Sequence, residues 1–281
     1  MTLYLGIDGG GTGCRAVLAN DAGIVLGHGM AGPANIASDP DGALANILHA
    51  AQEAMTQALG DQMARQELPH VIAGLGLAGV NAAGAAGRLQ LALPFAKTRI
   101  ETDAVAAAKG ALAGTDGIVA ALGTGSVYAV HKSGDIRCFG GWGLVLGDEG
   151  SGAHLGRGAL AMALRAVDGL VPMTPFLERL LDDHGGPAGV VAFAQTARAA
   201  DFARLAPDVL DSTDPTAQSL WSQAVAQVAD VLLHLRKAAP LPVTFIGGLG
   251  ARYAKALSDI PQTQARGSAL DGALLLAREA A

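Results

Sequence analysis

The sequence predicts an α/β protein of two domains, and three observations support this prediction. A strand, a glycine-rich turn and a second strand occur near the start of the chain, and the pattern returns in its middle. Elsewhere, apolar residues recur at helical spacing. The 281 residues, 51% of them hydrophobic and 16% charged, are enough for two modest domains with buried cores.

The first glycine-rich turn reads Asp-Gly-Gly-Gly-Thr-Gly at residues 8–13, between two short apolar strands. Successive glycines leave backbone N–H groups accessible, which favours an anion such as phosphate. Gly10, Gly11 and Thr12 are therefore candidate phosphate ligands, and Asp8 is a candidate Mg²⁺ ligand. The turn is not a Walker A loop, since it leads into a strand. An ordinary hairpin turn is the alternative.

The second and third turns extend this pattern. The second follows the apolar strand 118–122 and leads into another strand, whereas the third follows strand 243–246 and leads into a helical pattern. Repeated hairpins of this type indicate two related halves that face one nucleotide, and the third turn suits a floor for adenosine. The candidate ATP ligands in these turns are Gly123, Thr124, Gly125, Ser126, Gly247 and Gly248.

Composition excludes several classes of partner. A net charge of −6 and 4% aromatic residues offer neither a basic surface nor a stacking platform, so we expect no nucleic-acid partner. The sequence has no apolar stretch long enough to span a membrane and no secretory signal, which predicts a cytoplasmic protein. Cys14 and Cys138 lack metal-binding spacing and are predicted to be reduced thiols.

Asn35 follows Gly-Pro-Ala in a predicted loop. Its carboxamide can donate to and accept from a ligand such as a sugar. The alternative is a turn Asn that caps its own backbone. Asp39 and Pro40 then predict the start of an apolar-striped core helix.

Asp103 lies between a predicted strand at 98–102 and a predicted helix at 104–112. It has two alternative roles. As an N-cap it would accept hydrogen bonds from the first N–H groups of the helix. As a catalytic carboxylate it would accept a proton from a substrate hydroxyl during phosphoryl transfer.

Residues 140–152 contain six glycines together with Trp142, Asp148 and Glu149. Such a segment is a poor core element, because glycine buries little and loses much entropy. A flexible surface loop is one interpretation. We favour a sugar site, which combines an apolar platform with carboxylates that bind hydroxyl groups.

The remaining sequence is predicted to be mostly helical, with Trp221 on an apolar core stripe and Ser268 near the start of the last helix. The predicted helices cover residues 150–167, 175–184, 187–200, 215–239 and 268–281.

The three turns together resemble the actin-like ATPase and sugar-kinase superfamily. The motifs Gly-Gly-Trp-Gly, Leu-Gly-Asp-Glu-Gly-Ser, Asp-Gly-Gly-Gly-Thr and Gly-Pro-Ala-Asn are similar to those of N-acetylglucosamine and glucosamine kinases in the BadF/BadG/BcrA/BcrD ATPase family. The resemblance implies a two-domain actin-like (ribonuclease H-like) fold, each domain a mixed β-sheet flanked by helices, with a cleft between them. The implied domains are residues 1–104 and 105–281, with the terminal helix near the hinge.

The resemblance also implies roles for matched positions. Asp103 would be the catalytic base and would contact the sugar, while Asp8 would face Mg²⁺. Thr12 and Thr124 would meet the phosphates. The implied sugar-binding residues are Asn35, Asp103, Gly141, Trp142, Gly143 and Asp148. Glu149 has no assigned role.

The implied activity is transfer of phosphate from ATP to the 6-hydroxyl of N-acetylglucosamine or glucosamine, with Mg²⁺. The choice between these sugars, or another hexose, stays open. Whether the chain forms a homodimer is open as well. One alternative is an ATPase that activates a dehydratase through an iron–sulfur cluster shared by two subunits. The other is a sugar- and ATP-binding sensor without turnover.

Overall fold

The computed structural model describes residues 2–82, 84–238 and 240–281. Within them the chain forms two β-sheets and a set of helices. The elements are β1 (Tyr4–Gly9), β2 (Cys14–Ala19), β3 (Val25–Ala31), α1 (Pro40–Leu59), α2 (Asp61–Glu67), a 3₁₀ turn (Leu68–His70), β4 (Ile72–Leu77), α3 (Ala85–Ala92), β5 (Lys97–Thr102), α4 (Asp103–Leu112), β6 (Gly117–Leu122), β7 (Ser126–Lys132), β8 (Asp135–Gly140), α5 (Gly152–Val167), α6 (Pro175–Asp183), α7 (Gly186–Thr196), α8 (Ala199–Ala203), α9 (Ala206–Leu210), α10 (Pro215–Ala238), β9 (Val243–Ile246), α11 (Gly250–Ala256) and α12 (Ala269–Glu279).

The first sheet has five strands in the order β3-β2-β1-β4-β5. Strands β1, β2 and β3 pair antiparallel, which confirms the predicted first hairpin, whereas β4 is parallel to both β1 and β5. The central strands are almost continuously apolar because both of their faces are covered. Leu5, Ile7 and Leu75 are fully buried there.

The outer strand β3 lies against α1 at very short range. Gly29 makes this approach feasible, since an added Cβ would lie 2.0 Å from the carbonyl oxygen of Ala50. The Met30 N–H donates to Glu53 at 2.6 Å, and the His28 N–H donates to Gln57. These side chains satisfy N–H groups of an edge strand that would otherwise be open to pairing with another chain.

The terminal helix α12 packs through small residues against β4 and α4. At Gly272, an added Cβ would lie 1.8 Å from the carbonyl oxygen of Ala106. At Gly74, an added Cβ would lie 2.1 Å from the carbonyl oxygen of Ala273. Ser268 caps the helix in a capping box with Asp271, as its position in the sequence predicts.

The second sheet has the order β8-β7-β6-β9, with β6 and β9 parallel. Helices α5 to α10 lie between β8 and β9 in the chain. Most of them match the predicted segments. The predicted helix 187–200 is wrong at its end, because the observed helix α7 ends at Thr196 and Ala197 adopts an extended backbone. The predicted last residue of α10, at 239, lies outside the described residues.

Contacts group the chain into two compact units. Unit 1 comprises Met1–Gly117, Ala129–Arg137 and Gln264–Ala281, and unit 2 comprises Ile118–Tyr128 and Cys138–Thr263. Helix α12 counts with unit 1 because of its close packing on β4 and α4. The predicted domains 1–104 and 105–281 have other limits and stay a prediction. In the described part of the chain, no helix combines the length and the apolar character needed to cross a membrane.

Candidate active site

In unit 1, two carboxylates lie at one edge of the five-stranded sheet. Strands β1, β4 and β5 run parallel and end at this edge. Asp8 pairs in register with Gly76, and Asp103 follows β5 directly. An added Cβ at Gly76 would lie 3.7 Å from the Cα of Asp103, so the absence of a side chain at Gly76 leaves room for the start of α4. The sheet therefore brings two predicted site residues together.

Asp8 forms an ion pair with Arg15, with 2.5 Å between carboxylate and guanidinium. The two residues face each other in the β1–β2 register. The Asp8 side chain is only 15% exposed, whereas that of Arg15 is 54% exposed. Sequence reasoning missed Arg15. The available signal was its opposite charge at the matching position across the predicted hairpin.

Asp103 is not the N-cap of α4, so that alternative is wrong. Thr102 occupies the cap, and its hydroxyl accepts from the Val105 N–H at 3.2 Å. Asp103 is the first residue of the helix, and its Oδ1 accepts from the Ala104 N–H at 2.9 Å. A threonine can accept from the free N–H groups as well as an aspartate can, which leaves Asp103 available for another role.

The pKa of Asp103 is raised above the ordinary aspartate value. Desolvation by surrounding protein is the main cause; the charge of Asp8 adds to it, and the hydrogen bond from Ala104 opposes it. The side chain nevertheless keeps an exposed surface. Two interacting carboxylates, one of them with a raised pKa and open to solvent, are typical of a site that exchanges protons.

The first glycine turn is open. The Gly10 N–H donates to the carbonyl of Gly13 at 2.9 Å, which closes the turn on itself. An added Cβ at Gly11 would have no described neighbour within 4 Å, and Gly11 and Thr12 are exposed. A ligand can therefore approach the backbone of this turn without a side-chain barrier.

Asn35 lies in a loop joined to the same edge. The Ala34 N–H donates to the carbonyl of Gly10 at 2.8 Å. The Asn35 Oδ1 accepts from the N–H groups of Ala37 and Ser38 at 3.0 and 3.2 Å. The interpretation of Asn35 as a turn residue that caps its own backbone is confirmed. Its sugar contact stays a prediction and would involve the Nδ2 group.

In unit 2, the second and third glycine turns lie side by side because β6 and β9 pair in parallel. Gly247 has a φ of 87°, and an added Cβ would lie 2.4 Å from the carbonyl oxygen of Leu122. The Leu249 N–H donates to this carbonyl at 2.9 Å. Only glycine combines this backbone with so close an approach.

The second turn is fixed to the start of α5. The carbonyl of Gly123 accepts from the Gly152 N–H at 2.8 Å, and the carbonyl of Thr124 accepts from the Ala153 N–H at 3.1 Å. These carbonyls satisfy two of the N–H groups that every helix leaves free at its first turn. The turn therefore has a defined position relative to α5.

The glycine-rich loop, residues 140–147, presents an exposed aromatic side chain. Trp142 is 72% exposed and lies between Gly141 and Gly143, which have φ values of 71° and 84°. The carbonyl of Leu144 accepts from the Arg157 guanidinium at 3.1 Å. The indole is thus available as a platform for a ligand, on a loop anchored to α5.

Asp148 is buried, with 8% of its surface exposed. Burial raises the pKa of its carboxyl group, whereas hydrogen bonds from the backbone N–H groups of Ser126 and Gly143 lower it. Its φ of 61° is a left-handed backbone conformation. The predicted contact of Asp148 with a sugar stays a prediction.

Glu149 and His154 lie beside this carboxylate. Burial and the nearby charge of Arg157 lower the pKa of His154, and the charges of Glu149 and Asp148 act in the opposite direction. The described residues contain no group of three or more metal-ligating side chains. Sequence reasoning left Glu149 without a role and did not select His154. The neighbours of His154 depend on how α5 packs, which the sequence alone does not show.

Comparison with known proteins places the chain in one family. The profile of the BadF/BadG/BcrA/BcrD ATPase family matches residues 5–274. The chain is 31% identical to the glucosamine kinase GspK of Vibrio cholerae over 99% of this chain and 96% of that protein. It is 31% identical to an N-acetylmuramic acid/N-acetylglucosamine kinase of Clostridium acetobutylicum over 60% of this chain and 55% of that protein.

A crystal structure from Chromobacterium violaceum, described as a candidate N-acetylglucosamine kinase, matches with a TM-score of 0.85 and 33% identity over 99% of both chains. This likeness confirms the predicted fold class, that of the actin-like sugar kinases. The match of the family profile to almost the whole sequence shows that the chain belongs to the BadF/BadG/BcrA/BcrD ATPase family.

Proposed function

We propose that the chain is an ATP-dependent amino-sugar kinase that phosphorylates the 6-hydroxyl of glucosamine or N-acetylglucosamine. The observation that carries this proposal is Asp103, with its raised pKa, beside Asp8 at the end of the parallel strands. Similarity to a glucosamine kinase over the whole chain supports the same substrate class.

Asp103 is the base in this proposal. Its carboxylate accepts the proton of the sugar hydroxyl as the oxygen attacks the γ-phosphorus of ATP. A raised pKa makes the carboxylate a better proton acceptor than an ordinary aspartate. Because Thr102 caps α4, Asp103 does not have to stabilise the helix at the same time.

The glycine turns bind ATP in this proposal. Gly10, Gly11 and Thr12 offer an open backbone and a hydroxyl to phosphate oxygens. The proposed ligands in the other two turns are Gly123, Thr124, Gly125 and Ser126 for phosphate and Gly247 with Gly248 for adenosine. Backbone N–H groups suit phosphate because they donate without a side chain that must be displaced.

Asp8 is the proposed ligand of Mg²⁺. A single carboxylate together with phosphate oxygens is the oxygen-rich environment that this ion prefers, so the residue fits the ion. Arg15 now holds the carboxylate, and its half-exposed side chain can turn towards solvent. When bound, Mg²⁺ neutralises charge on the phosphate groups.

The amino sugar is proposed to contact Asn35 through its Nδ2 group and Trp142 through its indole face. Gly141 and Gly143 let the backbone near the indole approach the sugar, and Asp148 is the proposed carboxylate of this loop. Sugar sites commonly combine an aromatic surface with a few polar groups. We place the reaction in the cytoplasm, where ATP is available.

The decisive measurement is sugar-dependent release of ADP across a panel of hexoses and hexosamines. We expect glucosamine or N-acetylglucosamine to give the highest kcat/KM, and removal of Mg²⁺ by a chelator to abolish turnover. The panel also decides between the free amine and the acetamide. Release of ADP that no sugar stimulates would contradict the proposal.

A further inference from the structure

A cavity of about 610 Å³ lies within unit 2, between the glycine-rich loop, α5, α7 and the segment that leads from α7 into α8. Its described lining includes neither Trp142 nor Asp148 and no residue of the three glycine turns. Small-molecule sites have volumes of about 300–1,000 Å³. The cavity is therefore large enough for a ligand that the proposed reaction does not use.

Short side chains keep this space open. Ala161 on α5 and Ala194 on α7 both line the cavity and are exposed, and a single methyl group does not fill the space between the two helices. Below them lies Phe202, 7% exposed, which packs edge-to-face on Phe193 with 5.4 Å between ring centres. Gly156 fixes α5 against α8, since an added Cβ would lie 1.9 Å from the carbonyl oxygen of Phe202. The cavity thus has a packed, apolar floor.

Two guanidinium groups belong to this apolar lining, those of Arg157 and Arg198. Both residues are exposed. Within the described part of the chain neither forms an ion pair, whereas three other arginines of unit 2 pair with carboxylates, namely Arg179, Arg204 and Arg252. The net charge of the chain is −6, so carboxylates are not scarce. The cavity therefore offers two positive charges that no protein carboxylate neutralises.

An apolar cavity with two unpaired guanidinium groups is complementary to a molecule with an apolar body and an acidic end. Arginine suits a carboxylate in particular, because its planar group can donate to both oxygens at once. We propose that this cavity is a binding site for a small amphipathic carboxylate, such as a medium-chain fatty acid. The apolar body lies over Phe202, and the carboxylate pairs with Arg157 and Arg198.

The glycine-rich loop forms one wall of this site. Leu144 and Val145 line the cavity, and Val145 is 89% exposed, so a ligand would cover apolar surface that now faces water. The Arg157 guanidinium also donates to the Leu144 carbonyl at 3.1 Å. With five N–H donors it can keep this bond and bind a carboxylate as well. A bound ligand should therefore restrict the loop that carries Trp142.

Three variants test the site. Ala194→Phe places a large side chain in the cavity from an exposed position of α7. Arg198→Met removes one charge, keeps an apolar stem and leaves the Arg157–Leu144 hydrogen bond in place. Arg165→Met is the matched control, since Arg165 is another exposed arginine of α5 but does not line the cavity.

The first test is calorimetric titration with decanoate, at concentrations too low for micelles to form. We expect saturable binding of one decanoate by the wild type and by Arg165→Met. Arg198→Met should bind about 10-fold more weakly or worse, as should wild type titrated with uncharged decanol, because a hydrogen bond to a charged group is lost. Ala194→Phe should not bind. Absence of binding by the wild type, or unchanged binding by Ala194→Phe, would overturn the proposal.

The second test is amide hydrogen exchange of residues 140–147 with and without decanoate. Exchange should slow at least about fivefold in the wild type and stay unchanged in Ala194→Phe. Unchanged exchange in a wild type that binds decanoate would overturn the link to the loop. If the wild type is a dimer that Ala194→Phe dissociates, a second copy of the chain covers the cavity and the ligand site is wrong. Neither test uses nucleotide or sugar, so each can succeed or fail independently of the proposed kinase function.

Discussion

The first and second glycine-rich turns of the chain have similar sequences but are held in different ways. The turn at residues 10–13 closes on itself and is joined to the next loop by one hydrogen bond from the Ala34 N–H, while the carboxylate beside it, Asp8, pairs with the side chain of Arg15. The turn at residues 123–125 is hydrogen-bonded to α5, and the carboxylate beside it, Asp148, accepts from backbone N–H groups. The first turn is open to ligands, and the second is built into a network.

This difference assigns different tasks to the two units. In unit 1, Asp8 and Asp103 interact with each other, and the pKa of Asp103 is raised, as proton transfer requires. In unit 2, the glycine-rich loop carries the exposed indole of Trp142 as a surface for a ligand. We therefore expect substitutions in unit 1 to affect the chemical step and those in the loop of unit 2 to affect binding.

The largest expected effect is that of Asp103→Asn. Asparagine preserves the size of the side chain but cannot accept the proton, so kcat should fall by about 10²-fold or more. The Kd values of ATP and of the sugar should change little. Measurement of sugar-dependent ADP release and of both affinities tests this expectation.

The matched control is Asp41→Asn, which changes another aspartate in the first turn of a helix in the same unit. It should keep turnover near that of the wild type. If Asp103→Asn also turns over at a near wild-type rate, Asp103 is not the base, and the assignment of the chemical step to unit 1 is wrong.

The raised pKa of Asp103 makes a second prediction, on pH dependence. The base must be ionised, so kcat/KM should fall as the pH falls through the raised pKa, above the ordinary aspartate value of about 3.9. A carboxyl group whose pKa is raised by folding destabilises the folded state once it is ionised. The residual kcat/KM of Asp103→Asn should therefore not show this fall at acidic pH. The Tm of the variant at neutral pH should be higher than that of the wild type.

The profile of kcat/KM against pH and thermal unfolding of both proteins provide the measurements. If kcat/KM of Asp103→Asn falls at low pH in the same way as that of the wild type, the fall belongs to a group other than Asp103. A lower Tm for the variant would mean that the charged carboxylate stabilises the fold, contrary to the direction of its pKa shift.

These contrasts also show what the sequence can predict. The strands, the glycine turns and the Asp39 cap follow from local patterns, and the structure confirms them. Asp103 was one candidate for the cap of α4, but Thr102 fills this position although aspartate is the more common cap residue. The capping preferences of residue types therefore do not decide between adjacent positions.

Other features depend on contacts that form only in the folded chain. The left-handed backbone of Asp148 and its burial arise where β7, the glycine-rich loop and α5 meet, and no local spacing encodes that meeting. Arg15 was within reach of sequence reasoning, since the register of a short hairpin is fixed by its turn. Only the structure shows which glycine turn is open to ligands and which is held by hydrogen bonds to a helix.

A third prediction uses the two tryptophans, which lie in different surroundings of unit 2. Trp142 is 72% exposed on the loop, whereas the half-buried Trp221 packs against buried Tyr253 with 4.6 Å between ring centres and 53° between ring planes. Sugar binding should change Trp142 fluorescence saturably. Trp142→Phe should abolish this response, and Trp142→Ala should weaken sugar binding by about 2- to 13-fold, since an aromatic contact contributes about 0.5–1.5 kcal/mol.

Trp221→Phe is the control and should retain the sugar response, because its contacts are within the helical core. ATP affinity should stay nearly constant in all three variants. The reverse pattern between the two tryptophans would show that the glycine-rich loop is not the sugar site. A response to ATP with none to any hexose or hexosamine would favour a non-kinase member of the family.

The smallest effect is expected from the two cysteines, which distinguish a kinase from an iron–sulfur activator. Neither cysteine is in a disulfide; Cys14 is buried and Cys138 is exposed. Burial, assisted by the charge of Asp8, raises the pKa of Cys14 to about 12. Iron–sulfur clusters are held by thiolates, so a thiol kept neutral beside the first phosphate turn is poorly suited to hold one.

Replacement of Cys14 by Ala together with Cys138 by Ser should therefore leave sugar-dependent ADP release within an order of magnitude of the wild type. The native wild type should also show one rapidly titrating thiol, and a second only after unfolding, because a buried thiol with a raised pKa reacts slowly. Stoichiometric iron in anaerobically purified wild type, absent from the double variant, would contradict the kinase proposal. It would also reverse the comparison of the two turns, since the residue after the open turn would then serve a cluster and not the phosphates of ATP.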